Sequence, residues 1–201
     1  MKLIGVTGGV GSGKSEILRY IKEHYNCRVL LSDDAARELE MPGHALYDQL
    51  VPLLSQYPGS GAPLLQPGGA IVWKEMAARI FRNPELLQKV NALVHPAVGR
   101  YIREKVESAR ARGKIDYFFL EAALLIECGY RDVVDEMWYI YCDPAVRRKR
   151  LKASRGYSDE KIDGIMSSQL SDEEFRRSCD IIIDNSGDLK KTYAQIDAAL
   201  R

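Results

Sequence analysis

The sequence is poor in the residues that build metal centres and covalent frameworks. It holds four cysteines, Cys27, Cys128, Cys142 and Cys179, with no Cys-x-x-Cys pair, and three histidines spread through the chain. That pattern supports neither a zinc site nor a disulfide scaffold. Excess charge of one sign is also missing, since 29 lysines and arginines face 28 aspartates and glutamates for a formal charge of +1. No global field holds a nucleic-acid backbone or an anionic membrane, so any anion must be bound locally. Long apolar runs are absent as well: the Met1–Thr7 stretch falls far below the roughly 18 residues of a membrane span and has no signal-peptide layout. Aromatic residues do not interleave with basic ones, which removes a stacking platform for single-stranded nucleic acid; Tyr25, Tyr101 and Trp73 are expected in packing roles. What remains is 201 residues, 46% of them hydrophobic, enough to bury one sizeable core. The chain is expected in the reducing cytoplasm, as a monomer or weak homo-oligomer.

What is present is a repeated alternation of short apolar runs with helical periodicity. Lys2–Thr7 ends in a glycine-rich stretch, after which Ile17, Leu18 and Ile21 recur at helical spacing. Arg28–Leu31 closes on Ser32-Asp33-Asp34, residues suited to cap a helix through Ala35, Arg37 and Leu39. Residues 43–112 lose strand character and read as a helical block, with Asn83-Pro84 and His95-Pro96 as predicted helix boundaries. Three further β-prone runs follow, Ile115–Leu120, Met137–Cys142 and Ile181–Ile183, each followed by a carboxylate: Glu121, Asp143 and Asp184. Between the last two lie a basic segment, Ala145–Arg155, and two short helices, the second opening on Ser171–Glu174 in capping-box form; Gly187–Arg201 closes as a helix. Strands separated by helices imply a parallel sheet covered on both faces.

Gly8-x-x-x-x-Gly13-Lys14-Ser15 fits the phosphate-loop pattern at every position, after a predicted strand and before a predicted helix. Glycines let several backbone N–H groups converge, and the helix N-terminus adds its positive end, so a polyphosphate is held without excess basic charge. Lys14 is expected to bridge the β- and γ-phosphates of ATP, and Ser15 to ligate Mg²⁺. The competing reading is a plain glycine-rich turn. Phosphoryl transfer also needs an acceptor for the proton of the attacking hydroxyl. Asp33, at the end of the second predicted strand, is the candidate, although it serves equally as a helix cap, as does Asp34. Glu121 is placed to hold a magnesium-bound water, or is simply a solvated strand end.

Arg147, Arg148, Lys149, Arg150, Lys152 and Arg155 fall within nine residues of one predicted helix, so they point to several faces and only two or three can reach a ligand. Arg150 and Arg155 are the expected ones, closing over phosphates on a segment hinged near Gly156. His95 alone reads as a packed or surface residue more readily than as a ligand. A guanine-reading Asn-Lys-x-Asp segment is absent, which weighs against a nucleotide switch.

Taken in order, the phosphate loop, Ser32-Asp33-Asp34-Ala-Ala-Arg37, Val94-His95-Pro96, Leu124-Leu125-Ile126-Glu127 and Ile183-Asp184-Asn185-Ser186-Gly187 resemble the dephospho-CoA kinase family over nearly the whole chain. The resemblance implies an α/β fold of the three-layer P-loop NTPase type, with a parallel five-stranded sheet. It further implies a nucleotide core (1–33, 113–144 and 179–201), a helical substrate insert (34–112) and a helical lid (145–178). It implies transfer of the ATP γ-phosphate to the 3′-hydroxyl of dephospho-CoA, with Mg²⁺, and neither nucleic acid nor membrane as partner. On that resemblance Asp33, Lys14 and Arg150 are catalytic. Gly9, Val10, Gly11, Ser12, Gly13, Lys14, Ser15, Glu16 and Arg155 contact the nucleotide. Asp33, Arg37, His95 and Leu124 meet the substrate, and Ser15 and Glu121 serve the metal. The chain departs from the family pattern at Glu16, Leu31, Ser32, Ala123 and Ser154; Arg155 stands beside the last of these.

Overall fold

A computed structural model describes residues 1–201. The chain divides into two compact units, one formed by Met1–Leu31 with Ala109–Arg201 and the other by Ser32–Ser108.

The first unit is built on a five-stranded parallel sheet in the order β2-β3-β1-β4-β5. Its strands are β1 (Lys2–Thr7), β2 (Cys27–Leu31), β3 (Tyr117–Glu121), β4 (Glu136–Tyr141) and β5 (Ile181–Asp184). Each sits within two residues of the run that predicts it. The central strand β1 is buried from Leu3 to Thr7 because sheet neighbours flank it and helices cover it, which is why its apolar run is continuous. Ile4, Val6, Phe119, Trp138 and Ile140 form a core with Ile17, Leu18 and Ile21 of α1 (Lys14–His24). Ile196 of α9 (Leu189–Ala199) and Leu200 beyond it complete that core. Each fully buried aliphatic side chain contributes roughly 1.5–3 kcal/mol of hydrophobic stabilisation. Tyr25 packs against this core, and its hydroxyl donates to Asp197 at 2.6 Å.

Three helices connect β4 to β5. Asp143 caps α6 (Pro144–Arg155), accepting from Ala145 N at 2.8 Å, with Pro144 opening the helix where a missing N–H costs nothing. Gly156 ends it in a left-handed conformation, φ 61°. Then come α7 (Asp159–Ser167) and α8 (Asp172–Ser178); the capping box Ser171/Glu174 is formed as expected.

The second unit is helical: α2 (Ser32–Leu39), α3 (Ala45–Ser55), α4 (Trp73–Phe81) and most of α5 (Pro84–Arg112). Leu46, Leu50, Leu54, Leu64, Ile71, Leu86 and Val90 make its core. Burial pushes the Glu40 carboxyl up to about 7, against the opposing pull of Arg37.

Three local expectations are corrected. Pro96 does not end a helix; α5 runs straight through it for 29 residues. Proline removes the bond to the Ala92 carbonyl and crowds it, and both residues are exposed, on the side of the helix where water can replace that bond. Ser32, Asp33 and Asp34 form the first turn of α2 and do not precede it as a cap. Carboxylates favour that first turn because the helix dipole is positive there. Trp73 is 41% exposed at the start of α4 and is no core residue. Tyr101 donates its hydroxyl to Glu38 at 2.6 Å.

Candidate active site

The junction between β1 and α1 folds as a loop whose carbonyls are nearly all engaged. Gly8 O accepts from Lys14 Nζ at 2.7 Å and Gly9 O from Ser12 N at 3.1 Å. Val10 O accepts from Arg147 Nε at 2.9 Å, and Ser12 O from Asn185 Nδ2 at 2.8 Å and Arg150 NH1 at 3.5 Å. Gly13 O takes the N–H groups of Glu16 and Ile17. By contrast, the N–H groups of Gly11, Gly13 and Ser15 donate to no acceptor in the chain. Backbone donors without partners are costly unless a ligand or water supplies one. Here they gather at the N-terminus of α1, where the helix dipole adds positive potential. The buried Ser12 hydroxyl also has no partner within the chain. Such a loop is made to receive an anion with several oxygens.

Glycines in this loop stand where a Cβ would crowd a neighbour, Gly8 against the Ile140 carbonyl oxygen among them. Gly13 has φ 91°, and a Cβ there would collide with Asn185 Nδ2. A Cβ on Gly9 would collide with the Arg147 guanidinium. Gly13→Ala therefore meets both a disfavoured backbone region and a buried neighbour. It is expected to weaken ADP binding at least about tenfold, since every 1.4 kcal/mol of strain is a factor of ten; calorimetric titration with ADP measures it.

Lys14 Nζ lies between the Gly8 carbonyl and Glu121 Oε1, 3.7 Å away. Glu121 is the last residue of β3 and pairs in register with Val6 and Leu31, so the ends of β1, β2 and β3 share one row. That row is the carboxyl edge where open α/β sheets place ligands. The Ser15 hydroxyl is exposed at the start of α1 and makes no hydrogen bond within the chain.

The basic run of α6 divides by face. Arg147, Arg150 and Leu151 share the i, i+3, i+4 face turned toward the loop; Arg150 also donates to Asn185 O at 2.9 Å. On the other side Arg148 pairs with Asp159 at 2.7 Å and with Asp163, and Lys152 pairs with Asp159 at 2.7 Å. Arg155 is exposed at the end of α6, 5.9 Å from the Tyr157 ring centre, and makes no hydrogen bond to the loop. Of Arg150 and Arg155, only Arg150 hydrogen-bonds the loop. Glu16 turns its carboxylate to Arg19 and to the Tyr193 hydroxyl at 2.6 Å. Those two bonds, Arg19 first, hold it below the usual carboxylate range. Leu124 is 51% exposed after β3, while Leu125 beside it is buried.

In the second unit, Asp33 stands exposed in the first turn of α2, and Arg37 is exposed in its last turn. His95 is exposed on α5 with no hydrogen bond to another side chain. The sequence reading missed three contributors to the loop: Arg147, Gln169 and the side chain of Asn185. Arg147 carried a signal in its i, i+3 spacing from Arg150 and Asn185 in the Ile183-Asp184-Asn185-Ser186-Gly187 motif; Gln169 carried none.

Comparison with known proteins points the same way. The family model described as dephospho-CoA kinase matches residues 2–191. The dephospho-CoA kinase of Corynebacterium diphtheriae is 36% identical over 187 residues, covering 93% of this chain and 90% of that protein. The dephospho-CoA kinase of Streptococcus mutans is 34% identical over 202 residues, covering 100% and 96%. Among solved structures, a Thermus thermophilus protein superposes with a TM-score of 0.79 at 26% identity, covering 99% of this chain and 96% of that one. The dephospho-CoA kinase of Campylobacter jejuni superposes with a TM-score of 0.75 at 21% identity, covering 98% and 94%.

Proposed function

The chain belongs to the dephospho-CoA kinase family, and from that premise we propose that it transfers the γ-phosphoryl group of ATP to the ribose 3′-hydroxyl of dephospho-CoA. As a family member it is an ATP-dependent phosphotransferase. The observation that carries the reading is the loop itself, whose Gly8, Val10 and Ser12 carbonyls are held by side chains while the N–H groups of Gly11, Gly13 and Ser15 are left for phosphate oxygens. Little covalent chemistry is needed from the protein in such a transfer, so positioning and charge stabilisation dominate.

Lys14 leaves its Gly8 and Glu121 partners to neutralise charge on the β- and γ-phosphates. Arg150, tied to Ser12 O and Asn185 O, adds a second positive charge next to the loop. Asp33, two residues past the end of β2, takes the proton of the 3′-hydroxyl as it attacks in line, and no phosphoenzyme forms. Arg37 and His95 bind the acceptor from the helical unit, and residues 145–178 act as the lid that keeps water out. The reaction takes place in the cytoplasm.

Mg²⁺ would be held by the Ser15 hydroxyl and, through water, by Glu121. No cluster of three carboxylates, histidines or cysteines exists to cage a metal, which suits an ion that keeps waters and phosphate oxygens as most of its ligands. When bound, it supplies neutralisation of polyphosphate charge.

The test is ADP release with ATP, Mg²⁺ and, in turn, dephospho-CoA, adenosine, AMP or no acceptor. Release that depends on dephospho-CoA is the expected result. Preference for adenosine or AMP would make this another small-molecule kinase, and equal release without acceptor would make it a hydrolase or switch.

A further inference from the structure

One residue of the phosphate loop is held by a closed ring of hydrogen bonds. Val10 N–H donates to Gln169 Oε1 at 3.0 Å, and the same oxygen accepts from Arg147 NH2 at 3.0 Å. Arg147 Nε in turn donates to Val10 O at 2.9 Å. Arg147 comes from the first half of α6, and Gln169 from the turn between α7 and α8. Together they satisfy both backbone groups of Val10, the third of the six residues between β1 and α1.

The arrangement is built and not incidental. Gly9 has no Cβ, and the Arg147 guanidinium fills the space where one would stand. The guanidinium is partly buried, and this burial disfavours its charged form. A planar fork is needed here, because Nε and NH2 serve two different acceptors at once; an ammonium group in its place has no such fixed geometry. By engaging the Val10 N–H, the ring also removes it from the set of donors left for a ligand. The N–H groups of Gly11, Gly13 and Ser15 stay without an acceptor in the chain.

We propose that Arg147 and Gln169 are positioning residues for the triphosphate. They act through Val10, fixing the loop in its anion-accepting shape before the nucleotide arrives and linking it to the turn between α7 and α8. The inference rests on the reading that ATP is the phosphoryl donor. Pre-organisation of this kind raises affinity by lowering the ordering cost of binding.

The test compares Gln169→Leu, Gln169→Glu and Arg147→Lys. ADP affinity is measured by calorimetry without acceptor, KM for ATP and for dephospho-CoA by ADP release, and Val10 protection by amide exchange. Gln169→Leu and Arg147→Lys are each expected to weaken ADP binding and raise the KM for ATP about tenfold, leaving the acceptor KM within about twofold. Val10 should exchange faster while Ile4 and Val6 of β1 keep their protection. Gln169→Glu restores an acceptor for both donors and should return Val10 protection. The double variant Arg147→Lys/Gln169→Leu should bind ADP no worse than the weaker single, since the ring is broken once. If Gln169→Leu does not fold, Arg147→Lys carries the same test. Unchanged ADP affinity, or equal changes in the two KM values, would overturn the proposal, as would full function in Arg147→Lys, because charge alone would then suffice. ADP binding needs no acceptor, so it reads the latch even if dephospho-CoA proves not to be the substrate.

Discussion

Asp33→Asn is expected to lower kcat by roughly 10²–10⁴-fold, the range that a positioned general base contributes, while ADP affinity stays close to that of the unaltered protein. The asymmetry follows from where the residue stands. Asp33 lies in the first turn of α2, in the helical unit, and supplies none of the contacts that shape the phosphate loop. Asparagine keeps its size and its place in the helix and loses only the ability to take a proton. ADP release with dephospho-CoA gives kcat, and calorimetry gives affinity. An unchanged kcat would remove Asp33 from the chemistry and leave it a first-turn carboxylate favoured by the helix dipole.

Lys14→Ala is expected to fail differently, losing both nucleotide affinity and rate. Removing a charge aimed at the transferring phosphoryl group raises the barrier by several kcal/mol, roughly a 10²–10³-fold loss in kcat. The lysine also holds Gly8 O at 2.7 Å and pairs with Glu121. Its loss therefore removes a positive charge from between Glu121 and the incoming phosphates. The KM for ATP should rise together with the fall in kcat. A variant that binds ADP as well as the unaltered protein and loses only kcat would confine Lys14 to the transition state.

The two substitutions together separate the halves of the mechanism. The phosphate loop was readable from residue types because glycine, lysine and serine at fixed spacing dictate a backbone shape, and the apolar runs on either side fixed its strand and helix. The five strands were equally plain, since each is a short β-prone run; β1, β3 and β4 at the centre of the sheet are largely buried, while the edge strands β2 and β5 are only partly covered. What failed was local grammar overruled by context. His95-Pro96 has the form of a helix stop, yet a 29-residue helix passes through it, with both Pro96 and Ala92, the residue four before it, exposed. Arg155 and Arg150 are indistinguishable as letters in a basic run; only the face of α6 that meets the loop separates them.

Gln169 shows the limit most clearly. It lies 159 positions from Val10 and 22 from Arg147, and no periodicity or spacing rule links such distant partners. The resemblance puts Glu16 at the nucleotide, and no spacing rule foretells that its carboxylate bonds Arg19 and Tyr193 of α9. The helical unit offered periodicity and few distinctive polar residues. Hence Arg37 and His95 rest on the family resemblance alone; both are exposed.

The most direct measurement of the central claim is to incubate the protein with dephospho-CoA and γ-labelled ATP, resolve the products by mass, and assign the phosphorylated position by ³¹P–¹H correlation. The account predicts ADP and a product heavier by one phosphoryl group in equal amounts, with the label on the ribose 3′-oxygen. Label appearing in inorganic phosphate at the same rate without acceptor, or on any other oxygen of the product, would contradict it.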